Sequence, residues 1–308
     1  MAVHGNTKVI YVALFAKIAI AVTKFIASVL TGSSAMFAEA VHSVVDTGNQ
    51  LLLLFGVRQA QRPANRMHPF GHGKDLYFYA FLVAILIFGA GAGFAAYEGI
   101  EKLLHPRRVS GSYINYAVIL IALVYEVWAW RMAYRTLRAA AEGRSLVETI
   151  RRSKDPTLFT LLLEDSAALT GLVLAFFGIA MSHITGHSAW DAAASLAVAA
   201  VLAATAVALA IETKGLLVGE AANPRLVNRV RLAVAADRAV VDVGDVLTMH
   251  LGPNEVLTVV SADFDNSLTA KEVEGAVHRL KSRIEDMYPD IAQLYIETRA
   301  LKPGSGTR

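Results

Sequence analysis

Glu39, His42 and Asp46 are spaced by three and four residues within SSAMFAEAVHSVVDTGNQLLLLFG. On a helix that spacing stacks the three side chains on one face, and Asn49 continues the stripe. A second acidic pair, Glu164 and Asp165, stands in DPTLFTLLLEDSAALTGLVLAFFG. Neighbouring residues on a helix diverge by about 100°, so one of the two faces the His42–Asp46 stripe and the other a neighbouring helix or a water path. One imidazole and several carboxylates make a donor set for a divalent cation. The chain has no cysteine, so any metal must be held by nitrogen and oxygen. A tetrahedral set of this kind suits zinc, with cobalt, manganese and iron(II) as alternatives.

The elements that carry these residues are apolar. Of 308 residues, 55% are hydrophobic and 18% charged, the composition of a membrane protein. Six segments approach the roughly 20 apolar residues that cross a bilayer, about 9–30, 34–57, 76–100, 113–133, 157–182 and 188–211. An Asp or Lys at the centre of such a helix costs about 2.5–3.5 kcal/mol on insertion scales, so buried charges mark cavities or partners. Lys17 and Lys24, seven residues apart on the first span, belong to this class. Lys24 either snorkels outward or pairs with a carboxylate. Glu98 and Glu126 read as structural groups. The first apolar run is too long for a cleavable signal segment. A net charge of +3 and the lack of a Walker-type glycine-rich loop argue against nucleic-acid and nucleotide partners.

Basic residues cluster in two links. Arg58, Arg62, Arg66 and Lys74 follow the second span, and Arg135, Arg138, Arg144, Arg151, Arg152 and Lys154 follow the fourth. The positive-inside rule then places both termini in the cytoplasm, against one discordant outer loop with Lys102, Arg107 and Arg108. The first basic link contains NRMHPFGHGK, in which His68 and His72, with Asn65 nearby, form a second candidate metal pair. His105, His183 and His187 read as interfacial or solvated. Beyond residue 213 the sequence becomes mixed and charged. Asn223–Pro224 opens a helix to about 236, strands follow at 240–250 and 255–264, Thr269 and Glu272 form a capping box for a helix to about 288, and a last strand covers 291–299. The Gly/Ser-rich end, 302–308, is expected to be disordered.

Six spans, the His-x-x-x-Asp pair, HPFGHGK and an αββαβ tail together resemble the cation diffusion facilitator family of zinc transporters, along nearly the whole chain. TGSSAMFAEAVHSVVDTGNQ is the most specific stretch, and the closest likeness is to the branch found in animal mitochondria. The resemblance implies a six-helix transport domain over 1–213 and a cytoplasmic ferredoxin-like dimerisation domain over 214–301. It also implies a homodimer in the lipid bilayer that exports Zn²⁺ in exchange for H⁺ and is not an enzyme. The long N-terminal extension of the animal proteins is not in this sequence, which suggests a prokaryotic inner or plasma membrane.

Carried onto this sequence, His42, Asp46 and Asp165 match the family's intramembrane ligands. The remaining ligand position falls on Leu161, which cannot bind metal, leaving Glu164, Glu39 or water to complete the shell. His68 and His72 match a second metal site, with Asn65 where a carboxylate can stand. Lys74 matches a basic residue that pairs with an acid after the sixth span, here Glu220. In the tail, QLYIETRA replaces the expected histidine-containing ligand sequence, and His250 and His278 fall off the ligand positions. The tail should therefore dimerise largely without metal. Binding to neutral histidine and ionised carboxylates releases protons, so a proton gradient can drive alternating access. The rivals are a non-transporting metal-sensing scaffold and an intramembrane hydrolase, the latter without an HExxH-type pattern to support it.

Overall fold

A computed structural model describes residues 7–106, 112–140 and 154–299. Arg107, Arg108, Arg144, Arg151, Arg152 and the segment 302–308 lie outside them. Among the described residues six long helices come first: α1 (Thr7–Thr31), α2 (Ser34–Ala60), α3 (Asp75–Leu104), α4 (Ser112–Ala140), α5 (Pro156–Thr185) and α6 (Ala189–Val218). The middle of α3, Ile87–Ala92, is π-helical. The rest is α7 (Pro224–Ala235), β1 (Val240–Gly252), β2 (Glu255–Phe264), α8 (Ala270–Met287) and β3 (Ile291–Thr298).

Helices α3 to α6 are long and apolar enough to cross a membrane. Helix α2 is not in that group, because Glu39, His42, Asp46 and Asn49 interrupt it. The burial pattern is that of a protein dissolved in lipid. Ile18, Val22 and Phe25 of α1, Leu120, Ile121 and Val124 of α4, and Val207 and Ile211 of α6 are exposed, while charged residues lie inside.

The chain divides into two compact units. One takes in residues within 1–57, 78–150 and 156–213, and the other residues within 58–77, 151–155 and 214–308. In the first, the TGSS turn has a clear local cause. Gly32 adopts a left-handed conformation (φ 64°) that ends α1, and the Ser33 hydroxyl accepts from Met36 N (3.1 Å) to cap α2. The turn is then tied down by Asp191 in the first turn of α6. Its carboxylate accepts from Ser33 Oγ (2.6 Å), Ser34 N and Ser34 Oγ (both 2.8 Å) and Lys102 Nζ (2.8 Å), and Lys102 also donates to Gly32 O (2.5 Å). Lys102, whose position seemed discordant in the sequence, is thus a buried ion-pair partner rather than a loop charge.

In the second unit, β1 and β2 pair antiparallel and β2 and β3 pair parallel, in the order β1-β2-β3. The crossover helix α8 starts at the Thr269–Glu272 capping box, and Asn223 caps α7 by accepting from Arg225 N. Helices α7 and α8 bury Val230, Val234, Leu280 and Ile284 against Val246, Val260 and Leu294 of the sheet. Within this unit Gly73 lies against the Leu251 carbonyl. The Lys74–Glu220 pair implied by the resemblance does not form. Met249 lies over Gly219, and its sulfur meets the Lys74 ammonium (3.7 Å), while Glu220 pairs with Lys154.

Asp191→Ala should cost roughly 3–5 kcal/mol, because it strands the buried Lys102 ammonium, whereas the Lys102→Met/Asp191→Leu double substitution should cost less. Thermal unfolding of the purified chain in detergent measures both.

Candidate functional site

The polar face of α2 meets α1, α4 and α5 inside the helical unit. Glu39, His42, Asp46 and Asn49 are all buried, as are Lys17 and Lys24 of α1, Glu126 of α4 and Glu164 and Asp165 of α5. They form three levels. Lys24 donates to Glu39 Oε2 (3.1 Å) and Ser43 Oγ (2.9 Å). His42 Nδ1 lies 3.4 Å from Asp46 Oδ1, and Lys17 Nζ lies 3.7 Å from Asp165 Oδ1. Asn49 Nδ2 donates to Glu164 Oε1 (2.8 Å). The hydroxyl of Ser166, next to Asp165, accepts from Trp130 Nε1 (2.9 Å) and fixes α5 against α4.

Many polar atoms at these levels have no hydrogen-bond partner. Both ring nitrogens of His42 are buried and unpartnered, as are Asp46 Oδ1, Asp165 Oδ1, Glu126 Oε2, Glu164 Oε2 and Lys17 Nζ. Such groups are costly in a low-dielectric interior and call for a cation, a proton or water. Five carboxyl groups, those of Glu39, Asp46, Glu126, Glu164 and Asp165, face two ammonium groups, those of Lys17 and Lys24. When ionised, the carboxyl groups outnumber the ammonium groups, which gives the sign a cation site needs.

The structure brings His42 and Asp46 together. It does not close a ligand shell: among the described residues no three His, Asp or Glu side chains converge on a point where an ion could be held. The reason lies in the partners. Lys17 sits on Asp165, Lys24 holds Glu39, and Asn49 holds one oxygen of Glu164. Leu161, four residues before Asp165, offers no donor. Glu126 is the group that sequence reasoning set aside, and it lies within electrostatic reach of Lys24, Asp46, Lys17 and His42. Its sequence signal was there, a lone acid in the apolar run LVYEVWAW.

A transmembrane domain of the cation efflux type matches residues 10–218. The chain belongs to the cation efflux family. It is a multi-pass membrane protein of that family, whose members are secondary transporters and not enzymes. Two relatives named proton-coupled zinc antiporter SLC30A9, mitochondrial, are 32% identical over 273 residues in Xenopus laevis and 30% identical over 306 residues in Homo sapiens. These alignments take in 88% and 97% of this chain but 49% and 53% of the relatives, so the chain spans about half their length. The manganese efflux system protein MneP of Bacillus subtilis is 22% identical over 298 residues, covering 94% of this chain and 95% of the relative.

In the loop HPFGHGK the histidines are close. The rings of His68 and His72 are 4.3 Å apart. Both nitrogens of His72 are engaged, Nε2 with Asn65 Nδ2 (3.2 Å) and Nδ1 with Asp75 Oδ2 (3.3 Å). Asn65 is a loop-closing residue, since its side-chain Oδ1 accepts from Met67 N (2.9 Å) and His68 N (2.8 Å). Asp75, three residues after His72, is the carboxylate beside this pair and was missed, although that spacing was visible. In the tail His250 is buried and its Nδ1 lies 3.2 Å from Gly252 O. Burial lowers its pKa below the usual imidazole value, which keeps it neutral.

Gly171 of α5 makes room for the Glu39 carboxylate, which would collide with a Cβ there, while nothing crowds Gly48. Gly171→Ala should therefore destabilise by about 1–3 kcal/mol, and Gly48→Ala should stabilise by about 0.5–1 kcal/mol. Thermal unfolding of the two variants, side by side, checks the contrast.

Proposed function

We propose that this chain exports a divalent cation, zinc in the first instance, in exchange for protons by alternating access. The unpartnered, buried nitrogens of His42 beside Asp46, Asp165 and Glu126 carry this reading, because a negative surplus of orphaned donors inside an apolar bundle is what a transported cation would satisfy. In it, α1 and α2 complete a six-span domain, with their apolar faces toward lipid and their polar faces inward. His42, Asp46 and Asp165 bind the metal, and Glu126, or an oxygen of Glu164 or Glu39 released from its present partner, fills the position that Leu161 leaves open. The loop site of His68, His72 and Asp75 takes metal only after Asn65 lets go of His72. The basic residues of the 58–74 and 135–154 links favour cytoplasmic termini.

Metal binding to neutral imidazole and ionised carboxylates displaces protons, so acid on the far side returns them and releases the metal. The name of the SLC30A9 relatives supports zinc and proton coupling. The name of MneP, together with the oxygen-rich donor set, supports manganese as the second reading.

Reconstituted in vesicles with an acidic lumen, the chain should accumulate zinc. His42→Ala, Asp46→Ala and Asp165→Ala should each remove at least about 90% of that flux, and collapsing the proton gradient should stop it. Full flux in the His42 or Asp46 variant would sink this assignment. Absence of flux in the unaltered chain would favour the sensing scaffold. Competition among zinc, manganese, cobalt and iron(II) ranks the substrates.

The tail is read as a ferredoxin-like dimerisation domain. Leu247, Val259 and Tyr295 are register partners across the three strands, on the sheet face opposite α7 and α8, with Leu247 and Tyr295 exposed. An apolar row there suits a second copy of the chain. Leu247→Glu with Tyr295→Glu should shift the purified protein from dimer to monomer in light scattering. A dimer that persists would remove the sheet face from the interface.

A further inference from the structure

Among the described residues the helical unit buries three lysines, and one differs from the other two. Lys24 donates hydrogen bonds at 3.1 and 2.9 Å, and Lys102 at 2.5 and 2.8 Å. Lys17 makes none. Its ammonium stands 3.7 Å from Asp165 Oδ1, an ion-pair distance too long for a hydrogen bond, and both atoms are buried without a hydrogen-bond partner. The charges acting on it come from three helices: Asp46 on α2, Glu126 on α4, and Glu164 and Asp165 on α5. A cation surrounded by carboxylates and fixed by no directional bond occupies the electrostatic position of a mobile ion.

We propose that Lys17 is a tethered counter-cation of the transport site, one that neutralises Asp165 and Asp46 while no metal is bound and must be displaced before metal binds. This rests on the reading of His42, Asp46 and Asp165 as metal ligands. A zinc–carboxylate bond is about 2.0–2.2 Å long, so a metal on Asp165 Oδ1 would stand within about 6 Å of the ammonium as now placed. Two positive centres that close in a water-poor interior repel strongly. The four-carbon stem of lysine lets the ammonium swing away. Lys17 then does two things at once. It reduces the surplus of buried negative charge in the empty site, and it makes the metal compete, which weakens binding enough to allow release. The same competition accounts for the absence of a closed ligand shell among the described residues.

The test is a charge series at Lys17, read as zinc affinity by chelator competition at fixed pH and as flux in vesicles. Lys17→Gln should bind zinc about tenfold more tightly. Its metal-free melting temperature should fall, its zinc-induced rise should exceed that of the unaltered chain, and KM and maximal flux should fall together. Lys17→Arg, whose guanidinium grips a carboxylate with two parallel bonds, should bind zinc more weakly than the unaltered chain. A folded Lys17→Gln variant with unchanged or weaker affinity overturns the proposal. Should that variant not fold, Lys17→Arg decides alone, and unchanged or tighter binding overturns it. His42→Ala separates the two levels. If it abolishes zinc binding while the Lys17 series is flat, only the counter-cation falls. If binding ignores His42, the site reading falls with it.

Discussion

A charge inside an apolar bundle must find a partner, and most of the helical unit follows from that requirement. Glu39 is met by Lys24, Glu164 by Asn49, Asp165 by Lys17 and Asp191 by Lys102. Every one of these pairs joins two different helices, so giving each acid a cation or a hydrogen-bond donor also fixes the helices in register. Lipid supplies no hydrophobic drive for helices to associate with one another, and polar contacts of this kind are among the forces that remain. Small residues at the crossings, such as Gly171 against Glu39, let the backbones approach closely enough for the pairs to form.

The pairs are not built alike, and the difference separates scaffold from site. Asp191 accepts four hydrogen bonds and holds the α1–α2 turn, the end of α3 and the start of α6 together. It is saturated, and a saturated network rigidifies. Around His42 the opposite holds. Both imidazole nitrogens and an oxygen on each of Asp46, Asp165, Glu126 and Glu164 are left over. A fold made only for stability would not concentrate its unsatisfied atoms in one place, because each costs about 1–3 kcal/mol. On the proposed reading the surplus is the part that takes the cation, and the saturated end holds the helices around it.

Sequence alone carried the architecture a long way. Helix ends came within a few residues at α1, α2 and α5, because Gly32, Ser33 and Asp155–Pro156 are local signals. The tail was legible for the same reason, through the Asn223 cap and the Thr269–Glu272 box. Partners in space were not legible. Lys102 looked like a loop charge because its counter-ion, Asp191, lies 89 residues away. Glu220 was assigned to Lys74, yet pairs with Lys154, since Met249 from β1 stands beside the Lys74 ammonium. Glu126 was set aside because a lone acid on an apolar helix announces neither its depth nor its neighbours. Periodicity assigns a residue to a face, but only packing decides which face meets it.

Leu161 is where the donor set departs most from a four-ligand shell, and on the proposed reading it bears on selectivity. With one imidazole and the rest carboxylates, affinity follows the order that puts zinc above manganese whatever the protein does. Selectivity must then come from coordination number and geometry. A site whose fourth protein ligand is missing keeps a position open for water, and open positions suit an octahedral ion as well as a tetrahedral one. Glu39 and one oxygen of Glu164 are already engaged, so recruiting either means breaking a buried contact, whereas Glu126 Oε2 has no hydrogen bond to break. The metal that this chain handles best is therefore set less by His42, which any of these ions accepts, than by whether Glu126 closes the shell or leaves it to water.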